Sequence, residues 1–141
     1  MTRPLPVWVL AYRALFALAI LVAVVVQFWD RFPLPTFRPS NFFSFFTIQS
    51  NLFAAAVLLW GASGPRAQEG PTADLIRGAA VTYLSITGVV YGVLLAGYQE
   101  ALQTTIPWVD TVLHKLIPLV MVFDWLVDPP RRAIPWRSAL L

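Results

Sequence analysis

The sequence predicts an all-helical protein, a polytopic transmembrane helical bundle of four spans in a single domain covering residues 1–141. Hydrophobic residues make up 58% of the chain and charged residues 12%, whereas a soluble domain carries roughly 25% charged residues. Four apolar stretches are long enough to cross the ~30 Å hydrocarbon core of a bilayer as helices. Because lipid cannot satisfy free backbone groups, and four short strands could not close a barrel, helices are the expected spanning elements.

The first two spans are predicted at residues 8–28 and 41–60. The first is too long for a signal peptide, and Trp29-Asp30-Arg31 follows it in place of a small-residue cleavage site. We therefore expect it to stay uncleaved. Three prolines between residues 33 and 39 then mark a short loop before the second span, because proline ends helices and stiffens extended segments.

The other two spans are predicted at residues 74–98 and 108–126. A loop rich in glycine and proline precedes the third, and Pro107 precedes the fourth, which stops at Asp128-Pro129-Pro130. Asp124, near the end of the fourth span, is expected to pair with arginines. Residues 127–141 are either a cytoplasmic tail or the start of a fifth span.

The distribution of basic residues predicts the orientation of the bundle. Arginines are frequent at the N-terminus, in the second loop and in the C-terminal tail, whereas the first and third loops hold two. The frequent set is Arg3, Arg13, Arg66, Arg77, Arg131, Arg132 and Arg137, and the sparse set is Arg31 and Arg38. Since basic loops stay on the cytoplasmic side, both termini are predicted in the cytoplasm.

Composition also limits the function classes. The chain has no cysteine and one histidine, which argues against disulfides, iron–sulfur clusters, zinc sites and bis-histidine haem. No cofactor or metal is therefore expected. The net charge of +3 comes mostly from arginines at segment ends, so membrane lipids rather than nucleic acid are the expected partners. A homo-oligomer would be one way for so small a bundle to bury its polar faces.

Thr47 and His114 lie at matching depths of the second and fourth predicted spans, roughly 9 Å below their outer ends at 1.5 Å per residue. Other polar residues approach the same level. The complete predicted set is Thr47, Gln49, Ser50, Asn51, Thr87, Tyr91, Asp110, Thr111, His114 and Lys115. Ionisable side chains at membrane depth usually line a cavity or serve a site. The sequence therefore predicts a cavity that opens toward the outer leaflet.

A threonine and a histidine at one depth suit hydrolysis of an ester. The Thr47 hydroxyl would attack the carbonyl and His114 would take its proton, as a general base near neutral pH. Asp110, one turn from His114, would orient the ring. Further polar residues would support the site or line the substrate pocket. Ser50, Asn51 and Tyr91 are candidate donors to the oxyanion, and Lys115 is adjacent to His114.

Two further features concern the backbone around His114. Pro118 has no N–H to bond the His114 carbonyl, so the helix is expected to kink or loosen there. On the third span, Gly88 and Gly92 have the spacing that lets another helix approach closely.

Two stretches carry a family resemblance. Residues 41–52 (NFFSFFTIQSNL), and residues 107–118 (PWVDTVLHKLIP) followed by Asp124-Trp125-Leu126, resemble helix signatures of a bacterial six-helix membrane protein family. That family is similar to the androgen-induced and androgen-dependent membrane proteins, intramembrane threonine hydrolases of fatty acid esters of hydroxy fatty acids. The resemblance implies a Thr47 nucleophile, a His114 base, a lipid ester substrate and a place in the bacterial inner membrane.

Two alternatives stay open at the level of the sequence. The same polar residues would suit a non-enzymatic membrane transporter, or a protein that binds a small molecule or protons. They would also suit a structural bundle, in which polar side chains bond one another and leave no cavity.

Overall fold

The computed structural model describes residues 5–64, 69–98 and 106–130, and no strand occurs among them. The all-helical class is therefore confirmed for this part of the chain. Residues 131–141, which the predicted tail includes, lie outside the described residues. The elements in chain order are α1 (Val7–Arg31), α2 (Pro39–Ser44), α3 (Phe46–Ala62), α4 (Pro71–Val90), a π-helical turn (Tyr91–Leu95), α5 (Pro107–Thr111), a second π-helical turn (Val112–Leu116) and α6 (Ile117–Val127).

Among the described residues, two helices are long and apolar enough to cross a membrane. They are Val7–Arg31 and Pro71–Leu95, the second of which continues from α4 through its π-helical turn. Phe46–Ala62 is apolar but shorter. The elements from α5 to α6 follow one another without a break and form one helix over residues 107–127.

The second predicted span, residues 41–60, is wrong as a single helix. Phe45 adopts an extended conformation with ψ 129° and separates α2 from α3. The cause is tertiary: Phe42, which is 1% exposed, places its ring centroid 5.6 Å from that of Phe28 on α1 and so anchors α2. Thr47 is consequently the second residue of α3, rather than a residue a turn and a half inside a helix.

Buried apolar residues fill the centre of the bundle, where α1 packs on α3, α3 on α4, and α4 on α6. Each of eight side chains from these helices is at most 1% exposed. We call this set the apolar midsection: Ala17, Ile20, Ala54, Leu58, Ala80, Leu84, Ile117 and Met121. It separates two groups of buried polar residues, an ion cluster at one end of the bundle and the residues around His114 at the other.

The first group is an ion cluster of Arg13, Arg77, Asp124 and Asp128. Arg13 Nε lies 2.6 Å from Asp124 Oδ1, and an Arg13 Nη lies 2.9 Å from Asp128 Oδ2. Arg77 Nη lies 3.4 Å from Asp124 Oδ2 and 3.3 Å from Asp128 Oδ2. The Tyr12 hydroxyl also donates to Asp124. The pairing predicted for Asp124 is confirmed.

This cluster corrects the set of arginines on which the predicted orientation depends. The set includes Arg13 and Arg77 as residues that flank spans, but they are 1% and 3% exposed inside the bundle. A buried arginine needs a carboxylate partner, and here the partners lie up to 115 residues away along the chain. Arg13 and Arg77 therefore serve as partners of buried carboxylates inside the bundle.

Gly88 and Gly92 differ although their spacing suggested one role. A Cβ built at Gly88 would lie 2.9 Å from Pro118 Cβ and 3.6 Å from the His114 carbonyl oxygen, so α4 meets α6 closely there. A Cβ at Gly92 would have no heavy atom of the described residues within 4 Å. Close approach is confirmed at Gly88, and the described helices do not pack closely at Gly92.

We expect Gly88→Ala to destabilise the protein and Gly92→Ala to leave it unchanged or more stable. Alanine in a helix gains about 1 kcal/mol over glycine, but overpacking against the rigid Pro118 ring costs roughly 1–3 kcal/mol. Thermal unfolding in detergent would measure both variants, and a change of 1 kcal/mol corresponds to a shift in Tm of about 2–8 °C. Equal melting temperatures for the two variants would contradict the contact at Gly88.

Candidate functional site

His114 lies in the second π-helical turn, at a level of the bundle above the apolar midsection. Pro118 has no N–H for the His114 carbonyl, and the N–H of the preceding residue, Ile117, bonds the carbonyl of Val112 five residues back. The predicted loosening around His114 is thus confirmed. Single π-helical turns of this kind occur frequently at functional sites.

Asp110 and Tyr91 hold the imidazole ring from two sides. His114 Nδ1 lies 3.2 Å from its hydrogen-bond partner, the backbone carbonyl oxygen of Asp110, and 3.0 Å from Asp110 Oδ1. The Tyr91 hydroxyl donates to Asp110 Oδ2 at 2.5 Å. The Tyr91 ring stacks on the imidazole with centroids 4.1 Å apart. All three residues are at most 5% exposed. The arrangement fixes the ring plane and engages Nδ1, so Nε2 is the nitrogen left for proton transfer.

Hydrogen bonds connect α3 to this group through Ser50 and Asn51. The Asn51 amide donates to the Thr47 carbonyl at 2.9 Å and to the Leu113 carbonyl at 3.1 Å. Ser50 Oγ lies 3.1 Å from Thr87 Oγ1 on α4. One side chain therefore spans from the backbone of Thr47 to the residue before His114.

The predicted oxyanion donors are engaged elsewhere. Asn51 bonds two carbonyls, Ser50 bonds Thr87 and the Thr47 carbonyl, and Tyr91 bonds Asp110. Sequence reasoning did not identify another set of donors. Because Phe45 breaks the helix and provides no side-chain cap, the first backbone N–H groups of α3, around Thr47, have no partner within that helix.

An open groove of about 520 Å³ lies between α4 and the helix 107–127. Its two walls run antiparallel, since Arg77 pairs with Asp128 at one end and Tyr91 with Asp110 at the other. The lining residues are Ser85, Gly88, Val89, Tyr91, Gly92, Ala96, His114, Lys115, Pro118, Leu119 and Val122. Polar groups gather at the His114 level, where Lys115 Nζ lies 5.9 Å from the centroid of the Tyr91 ring.

The structure brings some of the predicted site residues together and leaves others apart. His114, Tyr91 and Lys115 line the groove, whereas Thr47 is half-buried on α3 and does not belong to the lining. Gln49 and Thr111 are expected in the polar layer but are exposed, because α3 and α5 direct those positions outward.

Within the described part of the chain, no group of three or more histidine, aspartate or glutamate side chains could hold a metal ion. No protein-family model, curated protein or solved structure matches the chain at significant similarity.

Proposed function

We propose that the chain is an intramembrane hydrolase of lipid esters of the fatty acid ester of hydroxy fatty acid type, with Thr47 as nucleophile and His114 as general base. One observation carries the proposal: a buried imidazole, oriented by Asp110 at 3.0 Å, borders a largely apolar groove. A base held by a third group is the arrangement that activates a hydroxyl nucleophile.

The proposed reaction has two halves. Nε2 of His114 accepts the proton of the Thr47 hydroxyl while its oxygen bonds to the ester carbonyl carbon. The tetrahedral intermediate collapses, the alcohol departs with the proton from His114, and an acyl-threonine remains. Water, deprotonated by His114, then attacks the acyl group and releases the carboxylic acid and the free threonine.

The assignment of Thr47 is supported by its connection to the helix that carries His114. Asn51 bonds the carbonyls of Thr47 and Leu113 at 2.9 and 3.1 Å, so the two backbones are one side chain apart. The start of α3 at Phe46 supports it further. Backbone N–H groups at a helix N-terminus favour negative charge and can stabilise an oxyanion that forms beside them.

We further propose that four helices cross the bacterial inner membrane with both termini in the cytoplasm. The helix 107–127 would be roughly 31 Å long at 1.5 Å per residue, which matches the hydrocarbon core. Its outward side chains suit lipid: Leu119 and Leu126 are 70% and 71% exposed. An acyl substrate would then enter the groove sideways, without transfer into water.

A second candidate function is a non-enzymatic protein that binds a lipid in the groove. It is favoured by the absence of Thr47 from the groove lining. A proton relay across the bilayer is less well supported, because the apolar midsection separates the His114 group from the ion cluster and provides no polar side chains for a relay.

Labelling with a fluorophosphonate probe tests the nucleophile. We expect the wild-type protein to be labelled in proteoliposomes and Thr47→Ala to lose the label. Thr82→Ala is the matched control, since Thr82 is an exposed threonine on α4 that bonds the Gly78 carbonyl. Labelling of Thr47→Ala at the wild-type level would refute the assignment. An unlabelled wild-type protein that still binds acyl chains would favour the second candidate.

A further inference from the structure

The open space at Gly92 lies inside the groove. Gly88 and Gly92 are four residues apart, and both line the groove. A Cβ at Gly88 would meet Pro118, whereas a Cβ at Gly92 would have no heavy atom of the described residues within 4 Å. The absence of a side chain at Gly92 therefore accounts for part of the groove beside Tyr91 and Lys115.

The groove has two chemically different ends. On the side toward the ion cluster its walls are Val89, Leu119 and Val122, which suit an acyl chain. On the other side of His114 lie Gly92 and Ala96, and Lys115 lines the groove at about the His114 level. An ester with its carbonyl at His114 and its acyl chain among the apolar residues would direct its alcohol portion past Gly92. A volume of about 520 Å³ is ordinary for a small-molecule pocket of ~300–1,000 Å³.

Resting on the proposed function, we propose that Gly92 determines the size of the alcohol portion that the site accepts. A larger side chain there occupies the space beside His114 on the alcohol side and leaves the acyl side open. The described part of the bundle does not need the glycine, because a Cβ at this position would meet none of its heavy atoms within 4 Å. Gly92 is thus a specificity-determining residue, in contrast to Gly88, which serves packing.

The test compares two esters with the same acyl chain, methyl dodecanoate and dodecyl dodecanoate, in proteoliposomes. For Gly92→Leu we expect kcat/KM to fall by about tenfold or more for the dodecyl ester relative to the methyl ester, the range in which pockets discriminate by size. Methyl butyrate and methyl dodecanoate differ in the acyl chain alone. The ratio of their kcat/KM values is expected to equal that of the wild type. The melting temperature is expected to be no lower than that of the wild type.

Gly97→Leu is the matched control, because Gly97 also has open surroundings and does not line the groove. It is expected to keep the wild-type preference. Equal effects of Gly92→Leu on both dodecanoates, or an effect that follows the acyl chain, would overturn the proposal.

Failure of the proposed function is distinguishable from failure of this inference. If the wild-type protein hydrolyses neither ester, the affinities of the two esters can be compared instead. Each ester is allowed to compete with a dansyl-labelled fatty acid for binding. Gly92→Leu should then weaken competition by dodecyl dodecanoate and spare that by methyl dodecanoate. An unchanged pair of affinities would refute the role of Gly92, whatever the protein catalyses.

Discussion

Replacement of His114 by alanine is expected to lower the rate of lipid ester hydrolysis by about 10²–10⁴-fold, the usual contribution of a general base. The physical reason is that a threonine hydroxyl is a weak nucleophile until a neighbouring base takes its proton. Initial rates in proteoliposomes, with a long-chain ester and with its free alcohol as the measured product, would check the effect.

Asp110→Asn tests the orientation of the ring separately. The carboxylate lies 3.0 Å from Nδ1 and is held by Tyr91, so the amide should leave the fold intact and still slow hydrolysis, as loss of the orienting carboxylate does in catalytic triads. Thr111→Ala, an exposed neighbour of Asp110, serves as the control. If His114→Ala hydrolysed esters at the wild-type rate, the proposed chemistry would have to be abandoned.

Asp124→Asn is expected to produce the largest loss of stability, about 3–5 kcal/mol, which is typical when one partner of a buried ion pair is removed. The substitution keeps the shape of the side chain but leaves Arg13 and Arg77 with Asp128 alone, and both arginines are at most 3% exposed. The free energy of unfolding, measured by titration from mild detergent into a denaturing detergent, would give the loss directly.

Asp30→Asn is the matched control for that substitution. Asp30 pairs with Arg31 at 3.6 Å, but its side chain is 46% exposed, and exposed pairs contribute only about 0–1 kcal/mol. Arg13→Met combined with Asp124→Leu should recover part of the stability, because it removes one charge of each sign and leaves the Arg77–Asp128 pair. Similar losses for Asp124→Asn and Asp30→Asn would show that the cluster contributes little.

Local pattern was sufficient to predict the all-helical class and the loosened turn at His114, because both depend on residues that are close in the sequence. Apolar length marked each segment, and Pro118 alone predicted that the backbone at His114 would depart from regular helix. Asp110 could be assigned to His114 for the same reason, since helical spacing places residues four apart on one face.

Other features depend on contacts between distant parts of the chain, and no local pattern carries them. Phe45 breaks the second apolar segment because Phe42 packs on Phe28 of another helix. Arg13 resembles a flanking arginine until its carboxylate partner, 111 residues later, is known. Gly88 and Gly92 form one spaced pair in the sequence, and the difference between them appears only when the position of Pro118 is known.

The apolar midsection has a consequence for how such an enzyme would encounter its substrate. In the proposed orientation, the reacting groups would lie in the outer half of the membrane. Ester molecules residing in the cytoplasmic leaflet would have to flip before they could be consumed. Turnover in a living cell would then be governed as much by lipid traffic between the two monolayers as by the reactivity of the enzyme.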